Sequence, residues 1–231
     1  MIAISAFIIY NTDQIKDDLL NSNRKYVTKL TNIEQTHGGT GFYIQTPSGR
    51  VMTLTNGHVC RLAMNGALVS STESDVDVLY VDSQYEDNDL CLLNAPVGVK
   101  GLKLASSVRD LENVYVIGHP LLEPKTLVRG QMSGSMMIKV LQGYDMIPCI
   151  GKTFTKEPVD IITAITTGAT FACIRTSIGG IATTPILPGN SGSPVLNAYG
   201  NVVGVIFAGS PGTGRGFMVP LEQVRDFLKN K

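Results

Sequence analysis

Leu187-Pro188-Gly189-Asn190-Ser191-Gly192-Ser193-Pro194-Val195, the run LPGNSGSPV, sets a serine between glycines and leads into the strand-like pair Val195-Leu196. That is what an exposed nucleophile requires. Gly189 and Gly192 can adopt backbone angles closed to other residues, so the chain can turn tightly and push the Ser191 hydroxyl outward. The same turn can aim the N–H groups of Gly189 and Ser191 at one point, where an oxyanion would form. Alone the run is weak evidence, because Gly, Asn, Ser and Pro are ordinary turn residues. Two upstream stretches strengthen it: LTNGHV (Leu54–Val59) carries His58, and NDLCLL (Asn88–Leu93) carries Asp89. Histidine, aspartate and serine thus arrive in that order along the chain.

The bulk composition bounds the rest. At 231 residues, 43% hydrophobic and 16% charged, the chain has the composition of a soluble globular protein able to bury a core. A formal net charge of zero gives no basic surface that advertises nucleic acid. The four cysteines, Cys60, Cys91, Cys149 and Cys173, lie far apart with no CxxC or Cys/His metal spacing. They read as free buried thiols, which favours a cytoplasmic location. The apolar run after Met1 lacks a basic flank and a small-residue cleavage site, and it is too short to span a bilayer. No metal, cofactor or membrane span is expected, and the composition does not address the oligomeric state.

Hydrophobic patterning points to an all-β chain between two helices. Residues 11–22 (NTDQIKDDLLNS) predict a short helix, with Ile15 and Leu19 as an i,i+4 apolar pair. From Lys25 to Val219, short runs rich in β-branched residues alternate with Gly, Pro, Asn and Asp. They predict strands at Tyr26–Leu30, Gly41–Gln45, Arg50–Thr55, Val76–Val81, Leu90–Leu93, Asn113–Ile117, Met136–Leu141, Thr170–Arg175, Asn201–Phe207 and Gly216–Val219. Thr46-Pro47-Ser48-Gly49 has the chemistry of a hairpin turn. Pro220 opens an amphipathic helix whose apolar face is Leu221, Val224, Phe227 and Leu228.

These motifs together resemble the trypsin-like (chymotrypsin-fold) serine peptidases, especially the bacterial and viral branch with the HtrA/Deg proteases and glutamyl endopeptidases. GGTGFYIQTPSGRVMTLTNGHV is similar to the strand, hairpin and strand leading to the family's histidine. VYVIGHPLLEPKTLVRGQMSG is similar to the opening of its second barrel, and GNSGSPVLNAYGNVVGVIFAG with GFMVPLEQVRDFL to its nucleophile turn, pocket strand and closing helix. The resemblance implies two packed antiparallel β-barrels with the site in the crevice between them. Residues 1–25 would be an N-terminal extension, 26–110 the first barrel with His58 and Asp89, and 111–231 the second with Ser191 and the C-terminal helix.

The chemistry implied is acyl transfer to a serine. A serine hydroxyl is a poor nucleophile at neutral pH and needs a base, and imidazole suits. In the triad arrangement His58 takes the Ser191 proton, Asp89 fixes the imidazole tautomer, and the Gly189 and Ser191 amides stabilise the oxyanion. Of the three histidines, His37 reads as a solvated loop residue and His119 as structural. Asp89 is preferred over Asp75, Asp77, Asp82 and Asp87 because it directly precedes the apolar run Leu90–Leu93, as the family's aspartate does.

Departures from the family pattern shape the specificity expected. Asn190 stands where digestive members carry an aspartate that pairs with a newly cut N-terminus, so that activation route is absent. Ser193 replaces a common second glycine, as it does in the glutamyl endopeptidases. Aligned with the family, the substrate pocket is formed by Pro185 and Ile186 on one side and Phe207, Ala208, Gly209 and Gly216 on the other. No acid lies at its base. The His and Thr that recognise glutamate are replaced by Ile206 and Ile186, and Arg215 reads as a solvated loop residue. Cleavage of a polypeptide after small or medium aliphatic residues is therefore expected. Lys139–Thr170 exceeds the compact core and predicts rim loops or an added hairpin. The rivals are a catalytically silent protein-binding or chaperone-like module of the same fold and an esterase. The intact triad opposes the first, and the chain order and lack of βαβ units oppose the second.

Overall fold

A computed structural model describes residues 18, 20–85, 88–141, 146–148, 171–180, 186–210 and 214–231, with side chains omitted at 84, 85, 134–141, 146–148, 171–180 and 210. Six antiparallel strands, β1 (Val27–Thr31), β2 (Gly38–Gln45), β3 (Val51–Asn56), β4 (Ala67–Ser71), β5 (Val76–Tyr85) and β6 (Leu90–Leu93), close into a barrel in the order β1-β2-β3-β6-β5-β4. Closure leaves no unpaired edge.

The apolar run on β6 shows why alternation is absent from the sequence there. Cys91 and Leu93 face the barrel interior with Leu30, Val59, Leu68 and Leu79. Leu90 and Leu92 point the other way, into a cluster with Phe42, Ile44 and Leu54 that continues into Ile117, Val205 and Val224 of the second half. A strand buried on both faces has no polar side to display. That second cluster is the seam that seats the two halves on each other.

The second half is a seven-stranded sheet of β7 (Asn113–Gly118), β8 (Thr126–Leu141), β9 (Met146–Pro148), β10 (Phe171–Gly180), β11 (Pro194–Leu196), β12 (Val202–Ser210) and β13 (Arg215–Pro220). Its order is β10-β13-β12-β11-β7-β8-β9, and an additional β8–β10 pairing returns the sheet on itself. The all-β, two-barrel expectation holds. Between the halves of the polypeptide, Leu102 and Leu104 make single parallel bridges to Ile44 and Val202.

A one-turn helix, α1 (Gly57–Cys60), follows β3, and α2 (Leu221–Leu228) closes the chain. Leu221, Val224, Phe227 and Leu228 are buried as the periodicity requires. Of the predicted N-terminal helix, residues 18 and 20–22 are helical, and Leu20 is fully buried in the seam cluster. Residues 11–17 and 19 lie outside the described residues. The Thr46–Gly49 turn is present, with Gly49 at φ 87° and its N–H on the Thr46 carbonyl at 2.9 Å. β4 and the first ten residues of β8 go beyond the predicted strands, because Ala, Ser, Gly and Arg dilute their β signal, while β11 contains the strand-like pair Val195-Leu196. Within the 139–170 expansion, β8 ends, β9 pairs with it, and residues 142–145 and 149–170 lie outside the described residues. No helix among the described residues is long and apolar enough to cross a membrane.

The cysteine reading needs correction. Cys60 and Cys91 form a disulfide, with Cα atoms 6.4 Å apart, although 31 residues separate them in sequence. Spacing alone misses the pair because β3 carries its successor α1 alongside β6, with Thr55 paired to Cys91. Closing a loop of that length stabilises a fold by about 3.7 kcal/mol on the chain-entropy account. The side chains of Cys149 and Cys173 lie outside the description. The disulfide removes the free-thiol reading of Cys60 and Cys91, one of the two grounds for the cytoplasmic expectation.

Candidate active site

The sequence Asn56-Gly57-His58 meets Asp89 at the open end of the first barrel. The Asp89 carbonyl accepts from Gly57 N–H (2.9 Å) and from Asn56 Nδ2 (3.0 Å). Its carboxylate takes two further bonds from one residue: Oδ1 accepts His58 N–H at 2.8 Å, and Oδ2 lies 2.7 Å from His58 Nδ1. An acceptor-only carboxylate at Nδ1 requires that nitrogen to carry the proton, which leaves Nε2 as the free base. Gly57 keeps this clasp tight, since a Cβ there would stand 3.2 Å from Asp89 Oδ1. Asp89 itself sits at φ 50°, a conformation uncommon outside glycine and best tolerated by Asp and Asn. The Asp89 side chain is 11% exposed and that of His58 is 35% exposed, so the pair is shielded on one side and open on the other.

Ser191 comes from the second half and is held by the first. Its carbonyl accepts Thr40 N–H at 2.8 Å, and Gly192 N–H donates to the Ile206 carbonyl at 2.7 Å. Gly192, at φ 87°, packs so closely that a Cβ would fall 2.0 Å from the Thr40 carbonyl. The Ser191 hydroxyl donates to the Phe207 carbonyl at 3.4 Å, a long bond that leaves it readily recruited. Asn190 and Ser193 are buried beside Gly118, where a Cβ would meet Ser193 Oγ at 2.0 Å and Asn190 Oδ1 at 2.5 Å. A neutral amide at Asn190 therefore tucks against the β7 end without needing an ion-pair partner.

The loop His119–Lys125 braces the serine turn from behind, which sequence reasoning missed. Leu121 N–H donates to the Pro188 carbonyl at 2.6 Å. In a trans peptide the N–H points opposite the C=O, so Gly189 N–H is turned away from that loop. Gly189, at φ 91°, lies against His119, Leu121 and Leu122. Among the described residues neither Gly189 N–H nor Ser191 N–H donates to a protein acceptor. Thr40 is the crosspiece: its hydroxyl donates to the Gly189 carbonyl (2.8 Å) and accepts His119 N–H (3.0 Å). The GGT of GGTGFYIQ was the available signal, two glycines letting a threonine reach the turn.

The same loop is anchored to the first barrel. Buried Lys125 donates to the Arg24 and Val27 carbonyls at 2.8 and 2.9 Å and pairs with Glu73 at 3.6 Å. His119 is buried, and its Nδ1 donates to the Glu123 carbonyl at 3.0 Å. Burial pushes the His119 imidazole down to about 4, with the Lys125, Lys29 and Arg24 charges adding to the shift against that hydrogen bond. It is a neutral structural residue, while His37 is exposed in its loop.

The expected pocket residues divide. Pro185 lies outside the described residues. Ile186 is 3% exposed and packs onto Gly209, where a Cβ would come within 2.7 Å of its Cβ. Phe207 and Phe217 rings meet at 6.5 Å between centroids, and Gly209 pairs with Gly216 across β12 and β13. Ile206 is buried with Ile186, and Arg215 is exposed. The described wall is apolar and closely packed.

A closed β-barrel seated on a second antiparallel sheet, with Asp–His on one and a glycine-flanked serine on the other, defines the serine peptidases of the double-barrel class. The sequence profile of the trypsin-like peptidase domain matches residues 39–205, and the chain belongs to that family. Among solved structures, the Rv3671c protease of M. tuberculosis in its active form is similar at 17% identity and TM-score 0.67, covering 91% of this chain and 82% of that one. The HtrA-type protease AlgW with a tripeptide is similar at 17% identity and TM-score 0.66, covering 93% and 62%. The serine endoprotease from Yersinia pestis is similar at 15% identity and TM-score 0.64, covering 93% and 65%. No curated protein sequence matches the chain. The protein is a trypsin-like serine endopeptidase.

Proposed function

We propose that His58, Asp89 and Ser191 are the catalytic triad, and that the enzyme cleaves polypeptides after small or medium aliphatic residues. The observation that carries this reading is the two-point clasp of Asp89 on His58, which fixes the Nδ1–H tautomer and frees Nε2. Substrate draws the Ser191 hydroxyl from its long bond to Phe207, and His58 Nε2 takes its proton as Oγ attacks the scissile carbonyl. The developing oxyanion is met by Gly189 and Ser191 N–H. The imidazolium then protonates the leaving amine, and water reverses the sequence on the acyl-enzyme.

The specificity follows from desolvation. A charged side chain entering a wall of Ile186, Phe207, Ala208, Gly209 and Gly216 loses hydration and meets no partner there. Discrimination among aliphatic residues stays shallow, since one methylene is worth only ~1–3 kcal/mol. The test is kcat/KM on peptides varied only at the cleaved position. Val, Leu and Ala should lead. A profile led by Arg or Lys would contradict the pocket reading, and one led by Glu would implicate Arg215.

A further inference from the structure

The disulfide falls two residues beyond each member of the acid–base pair: Cys60 follows His58 on α1, and Cys91 follows Asp89 on β6. We propose that the Cys60–Cys91 bond is a positioning element of the active site, a strut that sets the separation between the helical turn bearing His58 and the turn residue Asp89 at the head of β6. The proposal rests on the assignment of His58 and Asp89 to catalysis.

The strut joins the two segments that present the pair. Asp89 is the turn residue, at φ 50°, immediately before β6, and Cys91, the second residue of that strand, faces the barrel interior. Two residues of a helix are about 200° apart, so where His58 turns to the crevice Cys60 turns inward. Exposure agrees, with the His58 side chain at 35% against 2% for Cys60 and 0% for Cys91. The cysteines sit in the barrel interior with Val59, Leu68 and Leu79.

A covalent tie matters at α1 because the helix is too short to hold its own shape. α1 is four residues long, a single turn, and Asn56 gives it no side-chain cap. So short a helix has no stability of its own. Four hydrogen bonds from Asn56, Gly57 and His58 converge on Asp89: Gly57 N–H and Asn56 Nδ2 donate to its carbonyl, and His58 N–H and Nδ1–H to its carboxylate. Asp89 is in turn held at φ 50°, a conformation that persists only where its surroundings impose it. Without the bond, α1 and the Asp89 turn are tied by those hydrogen bonds, by Val59 packed in the barrel interior and by the β3–β6 ladder that pairs Asn56 with Leu90, and covalently only through the long excursion of β4 and β5. A covalent link two residues away limits how far the Nδ1–Oδ2 distance of 2.7 Å can drift.

Burial also decides what kind of device this is. Reduction by a dithiol proceeds by thiolate attack on one sulfur, breakage of the S–S bond and resolution of the mixed disulfide by the second thiol. Two electrons and two protons pass to Cys60 and Cys91, and the dithiol ends as a cyclic disulfide. Neither sulfur offers an attacking thiolate a path without local opening. The bond is a standing strut rather than a rapid switch.

The experiment compares oxidised wild type, wild type reduced by dithiothreitol after brief opening in urea and return to buffer, and the Cys60→Ala/Cys91→Ala double variant. Thiols are counted by mass on an aliquot, and folding is read by circular dichroism. The reduced and variant proteins should lose on the order of ten- to hundredfold in kcat with KM within about twofold. The downfield Nδ1–H proton resonance of His58 should broaden or vanish, and reoxidation of the reduced wild type should restore both. A folded reduced protein with unchanged kcat and an unchanged resonance would overturn the proposal. So would failure of both forms to fold, since the bond would then serve folding rather than position. The resonance does not depend on turnover. If it responds to reduction while oxidised protein neither turns over peptide nor labels at Ser191, the triad assignment fails and the strut stands.

Discussion

The two halves of the site are secured by different means. On the first barrel, His58 and Asp89 are joined by two hydrogen bonds to one carboxylate, by two more to the Asp89 carbonyl, and by a disulfide below. On the second, the Ser191 turn holds its shape through neutral bonds to segments distant in sequence: Thr40 from β2 and Leu121 from the β7–β8 loop. The His58–Asp89 side is thus closed within one barrel, whereas the Ser191 turn draws on both halves, Thr40 from the first and Leu121 and Ile206 from the second. In the proposed mechanism, proton transfer tolerates little error in the His58–Asp89 geometry, and the proposed oxyanion site depends on where Pro188-Gly189 is pressed.

Breaking each side should give distinct signatures. Asp89→Asn keeps the shape but allows the wrong imidazole tautomer, so kcat should fall ~10⁴-fold with the fold intact. Steady-state kinetics with a circular-dichroism control checks this, and a loss below tenfold would mean that the clasp does not set the tautomer.

Thr40→Val tests the other side without touching a reacting group. The valine leaves the Gly189 carbonyl and His119 N–H without the Thr40 hydroxyl, an effect of about 1–3 kcal/mol on stability. It should also lower kcat roughly tenfold to hundredfold with KM little changed, as the turn loses its crosspiece. Urea unfolding paired with kinetics separates the two consequences. Full activity in a destabilised variant would assign Thr40 to stability alone.

The smallest effect concerns pH. His119 titrates at about 4 in the folded state and near 6.5 when unfolded, so between those values the unfolded chain binds the extra proton. Its contribution is full above pH 6.5, is lost as pH falls toward 4 and changes no further below that. The total is roughly 3 kcal/mol at most. His119→Asn, which retains a donor for the Glu123 carbonyl, should flatten this part of the stability curve. An unchanged acid limb would place the titration elsewhere.

What was legible in the sequence follows the same division. Motifs carried by consecutive residues, LTNGHV, NDLCLL and GNSGSPV, single out His58, Asp89 and Ser191, the proposed triad, because strand ends and turns are local events. The two-barrel architecture followed from Val- and Ile-rich runs between turn residues. Interactions that exist only after closure were not legible. The Cys60–Cys91 bond depends on the β3–β6 pairing, and the Thr40 crosspiece depends on how the halves seat. β4 was missed since Ala67, Ser70 and Ser71 owe their strand geometry to neighbours on both sides.

The central claim is that Ser191 is the nucleophile served by His58 and Asp89. Its most direct measurement is fluorophosphonate labelling of the folded protein, with the modified residue located by peptide mass spectrometry. The account predicts a stoichiometric adduct on Ser191, none in Ser191→Ala, and strongly slowed labelling in Asp89→Asn. An adduct on another serine, or undiminished labelling and turnover in folded Ser191→Ala, would contradict it.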